Sequence, residues 1–185
     1  MLSFRSGARA DIAAPAASAA EVFGRLYEQY MPKVFTYISF RVSDRHTAED
    51  LTSAVFEKAL AKFDRYDAAK AAFSTWIFSI ARNTVIDHYR SASRERNWVA
   101  DGAEDMPARD GLPEEEASRA EEIEKLRSCM AQLGQTEKEI ISLKFGSDLN
   151  NRQIAAMLGL SESNVGTIIY RAVRKLRDGF TGWQK

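Results

Sequence analysis

The chain has 185 residues, of which 45% are hydrophobic and 28% charged, a composition typical of a globular protein with one domain or two small ones. No stretch approaches the roughly 18 apolar residues of a membrane span, and the first 20 residues lack the continuous apolar segment of a secretory signal. The single cysteine, Cys129, excludes an internal disulfide framework and suits a reducing compartment. We therefore expect a soluble, cytoplasmic protein.

The formal net charge of zero conceals an uneven distribution along the chain. Residues 93–122 contain 4 basic and 10 acidic side chains, whereas residues 123–185 contain 10 basic and 6 acidic ones. The basic segment has Arg171, Arg174, Lys175 and Arg177 close together near its end. This asymmetry, which the overall isoelectric point hides, favours binding of a nucleic acid.

The first half of the chain predicts a disordered tail over residues 1–17 and then three helices. Ser18 and Glu21 form a capping box at the start of the first helix, which Pro32 should kink or split. Thr47 and Asp50 predict a similar cap for the second helix. A loop over residues 64–72 precedes the third helix, roughly residues 74–91, whose expected buried face consists of Ile77, Ile80, Ala81, Thr84 and Val85. We expect one compact unit over residues 18–92.

Residues 93–118 predict a flexible linker, because they combine few apolar side chains with two prolines and an acidic excess. A solvated spacer is the simplest interpretation of this segment. Helices should resume at Arg119 in a second unit over residues 119–180, with Ile123, Leu126, Met130 and Leu133 buried. The predicted fold class is therefore all-α, with two small helical domains joined by a flexible acidic linker.

The most specific pattern, in residues 150–177, is that of a helix-turn-helix. Ala155 is small where the second helix would cross the first, Gly159 can adopt the positive φ of the turn, and Val165 is a β-branched anchor in the second helix. Ser161 is placed to cap that second helix. Ile154, Leu158, Leu160 and Ile168 fill the intervening core positions.

The second helix of this motif has two distinct faces. A narrow apolar stripe is formed by Val165, Ile169, Ala172 and Leu176, and the opposite face carries Ser163, Thr167, Tyr170 and Arg174. Hydrogen-bonding and cationic groups on one face suit the major groove of DNA. A packed helical hairpin with a charged outer face remains the purely structural alternative, and the spacing of the three turn residues favours DNA binding over it.

A supporting helix should lie just before the motif. Thr136 and Glu139 predict a capping box for a helix over residues 137–145, with Gly146 ending it in the C′ position.

Two segments of the first unit, HTAEDLTSAVFEKALAKFDRYD (residues 46–67) and FSTWIFSIARNTVIDHYR (residues 73–90), resemble region two of the extracytoplasmic-function (ECF) sigma factors. Residues 119–180 resemble region four of the same family. The resemblance implies a bacterial transcription initiation factor that binds core RNA polymerase and directs it to promoter DNA. It implies an anti-sigma factor as a further partner and no catalytic residue, cofactor, metal or membrane insertion. In this family the linker threads the basic channel of the polymerase, which is a second interpretation of the acidic segment.

By this resemblance, the second helix docks on the polymerase clamp through Asp50, Leu51, Ser53, Phe56 and Glu57. The family usually has a glutamine and an acidic residue where this chain has Ser53 and Ala54, so fewer polar contacts should remain. Asp50 also has a structural interpretation as the acid of the predicted cap, and the two roles are compatible.

The same resemblance implies that the loop and the third helix read and melt the minus-ten element. The matching positions are Tyr66, Thr75, Trp76, Arg82, Asn83, Ile86, Asp87, Tyr89 and Arg90. Arginines suit phosphates, and the amide of Asn83 suits a base edge. Phe73 and Trp76 have core packing as their alternative, and Asp87 has a salt bridge to Arg90 or Arg94.

The helix-turn-helix would read the minus-thirty-five element through Ser163, Gly166, Thr167, Tyr170, Arg171 and Arg174. Family members commonly carry Lys or Arg near positions 166–168, where this chain has Gly-Thr-Ile, so its promoter preference cannot be inherited from relatives. A glycine inside a helix is unfavourable, and we interpret Gly166 as a point of close backbone approach.

Two other function classes deserve comparison. A free-standing helix-turn-helix regulator that binds operator DNA as a dimer predicts a sensor or receiver domain, and residues 18–92 show neither strand alternation nor a phosphoacceptor pattern. An enzyme is disfavoured because His46 and His88 lie in unlike contexts and no phosphate-binding glycine loop, HExxH or CxxC motif is present.

Overall fold

A computed structural model describes residues 18–42, 44–96, 122 and 125–182 of the chain. Its helices are α1 (Ala19–Ser39), α2 (Arg45–Leu60), a 3₁₀ turn (Phe63–Arg65), α3 (Phe73–Arg96), α4 (residues 125–131), α5 (Gln135–Gly146), α6 (Asn151–Leu158) and α7 (Glu162–Gly182). The described residues contain no strand, which confirms the all-α prediction. The predicted tail, residues 97–118 of the linker and the expected helix start at Arg119 lie outside the described residues.

Helix α1 begins as predicted, but Pro32 does not split it. Ser18 and Glu21 form the capping box, with the Ser18 N–H donating to the Glu21 carboxylate (2.8 Å) and the Glu21 N–H donating to Ser18 Oγ (3.2 Å). The helix continues through Pro32 to Ser39. A proline inside a helix costs about 3 kcal/mol, whereas each large side chain buried beyond it gains about 1.5–3 kcal/mol. Val34, Tyr37 and Ile38 are all buried, so packing outweighs the proline.

The predicted caps of α2 and α5 are wrong by two or three residues. Asp44 caps α2 by accepting a hydrogen bond from the Thr47 N–H (2.7 Å), so Asp50 lies exposed in the second turn and has no capping role. Helix α5 starts after Gly134, whose N–H donates to Glu137 (3.0 Å). In both cases two overlapping cap patterns occur in the sequence, and the earlier one is used.

Gly146 is also placed differently from the prediction. It is the last residue of α5 and is buried, and among the described glycines only Gly159 has a positive φ. The predicted C′ role for Gly146 is therefore wrong, and its small size serves packing instead.

The hydrophobic core is continuous across the two helical units. Val34, Ile38, Ile77 and Phe78 of the first unit belong to the same buried cluster as Ile140, Leu143, Ile154 and Val165 of the second. Helix α1 packs on α5, and α3 packs on α6. Met130 and Leu133, both predicted to be buried, form a smaller cluster with Ile141 and Ala172. No helix in the described parts of the chain is long and apolar enough to cross a membrane.

Candidate nucleic-acid interface

The helix-turn-helix has the geometry that its spacing predicts. Gly159 adopts φ +68° at the end of α6, and the Leu160 N–H donates back to the Ala155 carbonyl (2.9 Å). Ser161 caps α7 by accepting from the Asn164 N–H (3.2 Å). Ala155 and Val165 are buried at the crossing of the two helices. The turn is thus closed by backbone and cap hydrogen bonds, and α7 is held at a fixed angle to α6.

The outer face of α7 is open to solvent. Ser163, Thr167, Tyr170, Arg171 and Arg174 are all exposed, Tyr170 to 70%. Among the residues that the structure describes, Arg174 Nε forms a long ion pair with Asp178 Oδ2 (3.9 Å) on the same helix. The Thr167 hydroxyl donates to the Ser163 carbonyl (3.0 Å) and keeps its lone pairs as acceptors. Because these side chains are bound strongly neither to the core nor to each other, they are free to contact a groove of DNA.

Gly166 lies beside this face, half-buried. A Cβ added at position 166 would meet only Asn151 Nδ2, at 3.8 Å, which is an ordinary contact. Packing inside the protein therefore does not require glycine here, and the interpretation of Gly166 as a point of close approach remains a prediction.

Helix α5 packs against α7 and is joined to it by an ion pair. Lys175 on α7 donates to both oxygens of Glu137 on α5, at 2.7 and 2.9 Å. The Lys175 hydrogen bond, followed by that from the Gly134 N–H, holds the pKa of the Glu137 carboxyl below its usual value. This ion pair links α7 to the core, because Ile140 and Leu143 of α5 are fully buried.

The loop before α3 is packed against aromatic rings. Tyr66 lies 5.0 Å from Trp76 and 5.4 Å from Phe73 between ring centroids, and Phe63 contacts all three. The Tyr66 hydroxyl donates to the Ala71 carbonyl (3.1 Å), which ties the loop down. Phe73 is buried, as its core interpretation requires, while Tyr66 and Trp76 stay partly exposed at the surface of the cluster.

The predicted promoter-facing residues of α3 fall into two groups. Asn83, Asp87, Tyr89 and Arg90 are exposed, and Ile86 is half-buried. Asp87 lies 4.0 Å from Arg90, the pairing considered for it in the sequence. Thr75 and Arg82 instead contact the second unit: Gln153 donates to Thr75 Oγ1 (3.5 Å), and Arg82 Nε donates to Glu139 (2.9 Å).

The predicted polymerase-binding residues lie on α2, next to a groove against α1. Asp50, Ser53 and Glu57 are exposed and Leu51 is half-buried, whereas Phe56 is 5% exposed and packs edge-on against Tyr27 (4.8 Å). The groove has a volume of about 170 Å³ and is lined by Tyr27, Met31, Phe35, Glu49, Thr52, Ser53 and Phe56. Phe56 can therefore contribute to the floor of this groove rather than project from the surface.

Sequence reasoning missed two features of these surfaces. Tyr27 and Met31 of α1 are 42% and 36% exposed and line the groove against α2, a surface that no sequence pattern assigned. The signal was available, since the apolar stripe of α1 is wider than one packed face needs. Glu139 was predicted to take part in the cap of α5. Because Gly134 and Glu137 form the observed cap, the Glu139 side chain is available to bind Arg82.

Comparison with known proteins gives the family. The model described as Sigma-70 region 2 matches residues 26–95, and the one described as Sigma-70, region 4 matches residues 123–176. The chain is 36% identical over 161 residues to the ECF RNA polymerase sigma factor BldN of Streptomyces coelicolor, covering 86% of this chain and 61% of that protein. It is 31% identical over 136 residues to the ECF RNA polymerase sigma factor ShbA of Streptomyces griseus, covering 72% and 71%.

Two solved structures share the fold. The sigma factor RpoE, in complex with the anti-sigma factor NepR from Bartonella quintana, superimposes with a TM-score of 0.68 at 21% identity, covering 86% of this chain and 97% of that one. CnrH, in complex with the cytosolic domain of CnrY, superimposes with a TM-score of 0.64 at 23% identity, covering 88% and 90%. Both family models match in the expected order on the two helical units, and the sequence relatives carry the same assignment. The chain belongs to the ECF sigma factors of bacterial RNA polymerase.

Proposed function

We propose that this protein binds core RNA polymerase and directs it to specific promoters. The first unit reads the minus-ten element with α3 and the preceding loop, and the helix-turn-helix reads the minus-thirty-five element with α7. The observation that carries this proposal is the match of both sigma regions, in order, to one chain whose α7 has an open hydrogen-bonding and cationic face. The chain itself performs no catalysis in this role, and it acts where the polymerase and the chromosome are, in the cytoplasm.

Each DNA-binding surface is assigned a different chemistry. Arg82 and Arg90 on α3 would hold phosphates, while Asn83 offers donors and an acceptor to a captured base. Tyr66 and Trp76 offer ring faces beside the loop for unstacked bases. On α7, Arg171 and Arg174 would contact phosphates, and Ser163, Thr167 and Tyr170 would face base edges.

The groove between α1 and α2 is the proposed site for the polymerase clamp. The partly exposed rings and side chains of Tyr27 and Met31 line the groove together with the carboxylate of Glu49, and Asp50 and Glu57 are exposed on the same helix, α2. An apolar centre with a charged rim is the usual anatomy of a protein–protein interface. RpoE and CnrH are each found in complexes, RpoE with an anti-sigma factor, and we propose an anti-sigma partner for this chain as well.

In vitro transcription tests the function directly. Bacterial core polymerase is incubated with a pool of genomic promoter fragments, with and without the protein, and run-off products are sequenced. Products that depend on the protein support the proposal and reveal its promoter. Absence of products together with failure to co-elute with core polymerase would contradict it and favour a free-standing regulator. Co-elution without products would call for a matched core enzyme, and the same reaction with that enzyme then decides.

A further inference from the structure

A small cavity lies where the C-terminal end of α1 meets α3, α4 and α5. Its volume is about 180 Å³, below the roughly 300–1,000 Å³ of pockets that hold drug-sized ligands. Because a water molecule takes up ~30 Å³ in the liquid, the cavity has room for several waters or for one small polyatomic ion. Its size therefore limits a ligand to a small group.

The lining of the cavity is positively charged. Arg41 follows α1, Arg127 lies on α4 and Lys138 lies on α5, and none of the residues that line the cavity is acidic. Across the described parts of the chain, no carboxylate forms a salt bridge with Arg41 or Lys138. Burial, and then the charge of Arg41, lowers the pKa of Lys138 below its usual value. The two cations thus repel each other, and an anion between them would relieve this repulsion.

Two polar atoms of the lining lack a hydrogen-bond partner among the described residues. Arg41 is only 8% exposed and its Nε is buried without an acceptor, and Ser39 Oγ is likewise buried and unpaired. The same guanidinium donates through Nη1 to the Gln135 carbonyl (3.3 Å), which holds the side chain in place. Buried polar groups almost always have a partner, and one that has none within the protein points to a water or an ion. An anion in the cavity would accept from both residues.

The distribution of the donors favours a phosphate over a carboxylate. They come from the end of α1, from α4 and from α5, so they approach the cavity from separate elements of the fold. A carboxylate offers two oxygens in one plane, whereas a phosphate ester offers three strong acceptor oxygens and a charge of about −1.5 to −2 near pH 7. Guanidinium groups match the oxygens of a phosphate. Three cationic side chains are suited to an ion with more than one negative charge.

Part of the lining is apolar. Phe40 and Met130 contribute apolar side chains, and Tyr89 of α3 contributes an aromatic ring. The Tyr89 hydroxyl donates to the Arg41 carbonyl, which fixes the ring next to the charged groups. Apolar and aromatic side chains beside a few polar groups are typical of sites for organic molecules. The cavity therefore suits the phosphate of a small organic ester as well as inorganic phosphate.

We propose that this cavity binds the phosphate group of a small molecule, with Ser39, Arg41, Arg127 and Lys138 as its hydrogen-bond donors. The site is distinct from the outer face of α7, and it does not depend on the promoter-directing role. Because its donors come together only in the folded chain, phosphate stabilises the protein by mass action.

Isothermal titration calorimetry of the full chain, in a buffer without phosphate, tests the ligand. Inorganic phosphate, phenyl phosphate and acetate are the three probes. We expect saturable binding of inorganic phosphate at millimolar concentration or below and none of acetate. Phenyl phosphate that binds more tightly than inorganic phosphate assigns the site to phosphate esters, and equal or weaker binding assigns it to free phosphate. Absence of saturable binding by both phosphate probes, or equal binding of acetate, would overturn the proposal.

Lys138→Gln tests the location. Loss of one charge-assisted hydrogen bond should weaken phosphate binding about ten- to one-hundred-fold. Without phosphate, this variant should melt at or above the wild-type temperature, because a buried charge that Arg41 repels has been removed. A purely structural role for Lys138 predicts the reverse, a lower melting temperature with unchanged phosphate binding. Lys144→Gln is the matched control, since Lys144 is a half-buried lysine on the same helix that does not line the cavity.

Arg41→Gln is the second test of location. Since Arg41 also binds the Gln135 carbonyl, we expect a lower melting temperature for this variant, and its titration is carried out below that temperature. Phosphate should raise the melting temperature of the wild type and of Lys144→Gln, and its effect on Arg41→Gln and Lys138→Gln should be much smaller. Equal phosphate affinity in Lys138→Gln and the wild type would place the ion elsewhere and overturn the proposal.

Discussion

Two arginines on the outer face of α7, Arg171 and Arg174, should contribute measurably to the salt dependence of promoter binding. Each phosphate contact releases condensed counterions, so loss of one contact lowers the slope of log affinity against log salt by about one. We expect Arg171→Ala and Arg174→Ala each to weaken promoter complexes and to flatten that slope by about this amount, measured by fluorescence anisotropy of polymerase holoenzyme on promoter DNA. Arg25→Ala, an exposed arginine on α1, is the control and should leave the slope unchanged. Unaltered slopes in both α7 variants would remove these residues from the phosphate contacts.

The substitution Gly166→Ala should change protein stability and DNA binding in opposite directions. Because only Asn151 lies near the position of its missing Cβ, Gly166→Ala should raise the free energy of unfolding by about 1 kcal/mol through helix propensity. The added methyl group should weaken binding to the minus-thirty-five element if the DNA backbone approaches closely, and we expect that loss. Thermal melts and anisotropy on the same protein measure both.

Gly24→Ala is the matched comparison for this prediction, since Gly24 lies on an exposed face of α1 with nothing within 4 Å of an added Cβ. It changes helix propensity alone, so it should stabilise the protein without altering promoter affinity. Equal promoter affinity for Gly166→Ala and the wild type would show that glycine is dispensable at the DNA surface.

At the scale of elements, the attachment of α7 to α5 should depend on pH. Lys175 and the Gly134 N–H lower the pKa of Glu137 in the folded protein, so the charged carboxylate is favoured by folding. Its contribution is fully present above the unfolded pKa of about 4.3 and is lost as the pH falls through the lower, folded value. The stability difference between the wild type and Glu137→Gln, measured by urea denaturation, should therefore shrink below about pH 4. A difference that stays constant from pH 7 to pH 3 would contradict this linkage.

The elements themselves could largely be predicted from the sequence, because their signals are local. Apolar periodicity placed α1, α2, α3 and α7, and the Ala155, Gly159 and Val165 spacing gave the turn. Cap positions were less secure, since Asp44 and Thr47 both offer a side-chain oxygen within one turn of the helix start. The prediction was that Pro32 kinks or splits the first helix, and α1 is not split because burial of the turn after Pro32 outweighs the lost hydrogen bond.

The contact of α1 with α5 and of α3 with α6 could not be predicted in the same way. Arg82 and Glu139 are 57 residues apart in sequence, and no periodicity relates side chains on either side of a linker. Thr75 and Arg82 were correctly placed away from the core of the first unit. The second unit packs against the face of α3 that carries Thr75 and Arg82. This packing brings together residues that are distant in sequence, so local sequence patterns do not predict it.

At the scale of the whole molecule, the acidic segment between the regions should act through its charge. We expect the triple change Glu114→Gln, Glu115→Gln and Glu116→Gln to alter initiation or promoter escape by the polymerase. A negatively charged segment of polypeptide can occupy a basic channel, because its charge resembles that of a nucleic acid. Abortive and full-length transcripts, compared at several salt concentrations, measure the effect. The control replaces the same three residues with aspartate, which keeps the charge. Transcription that is unchanged across start sites and salt would leave the segment as a spacer.

The continuous core has a consequence for linker evolution. Lys33 of α1 and Asp148, which follows α5, form an ion pair between the two units although 115 residues separate them in sequence. Contact of the units therefore closes a loop, and the entropic cost of closing it grows only with the logarithm of the loop length. Doubling a flexible loop costs about 0.6 kcal/mol, while tethering keeps the two faces at an effective concentration in the millimolar range. Insertions and deletions in the segment between the two units should thus have little effect on the contact of α1 with α5, and thermal melts of such variants measure this.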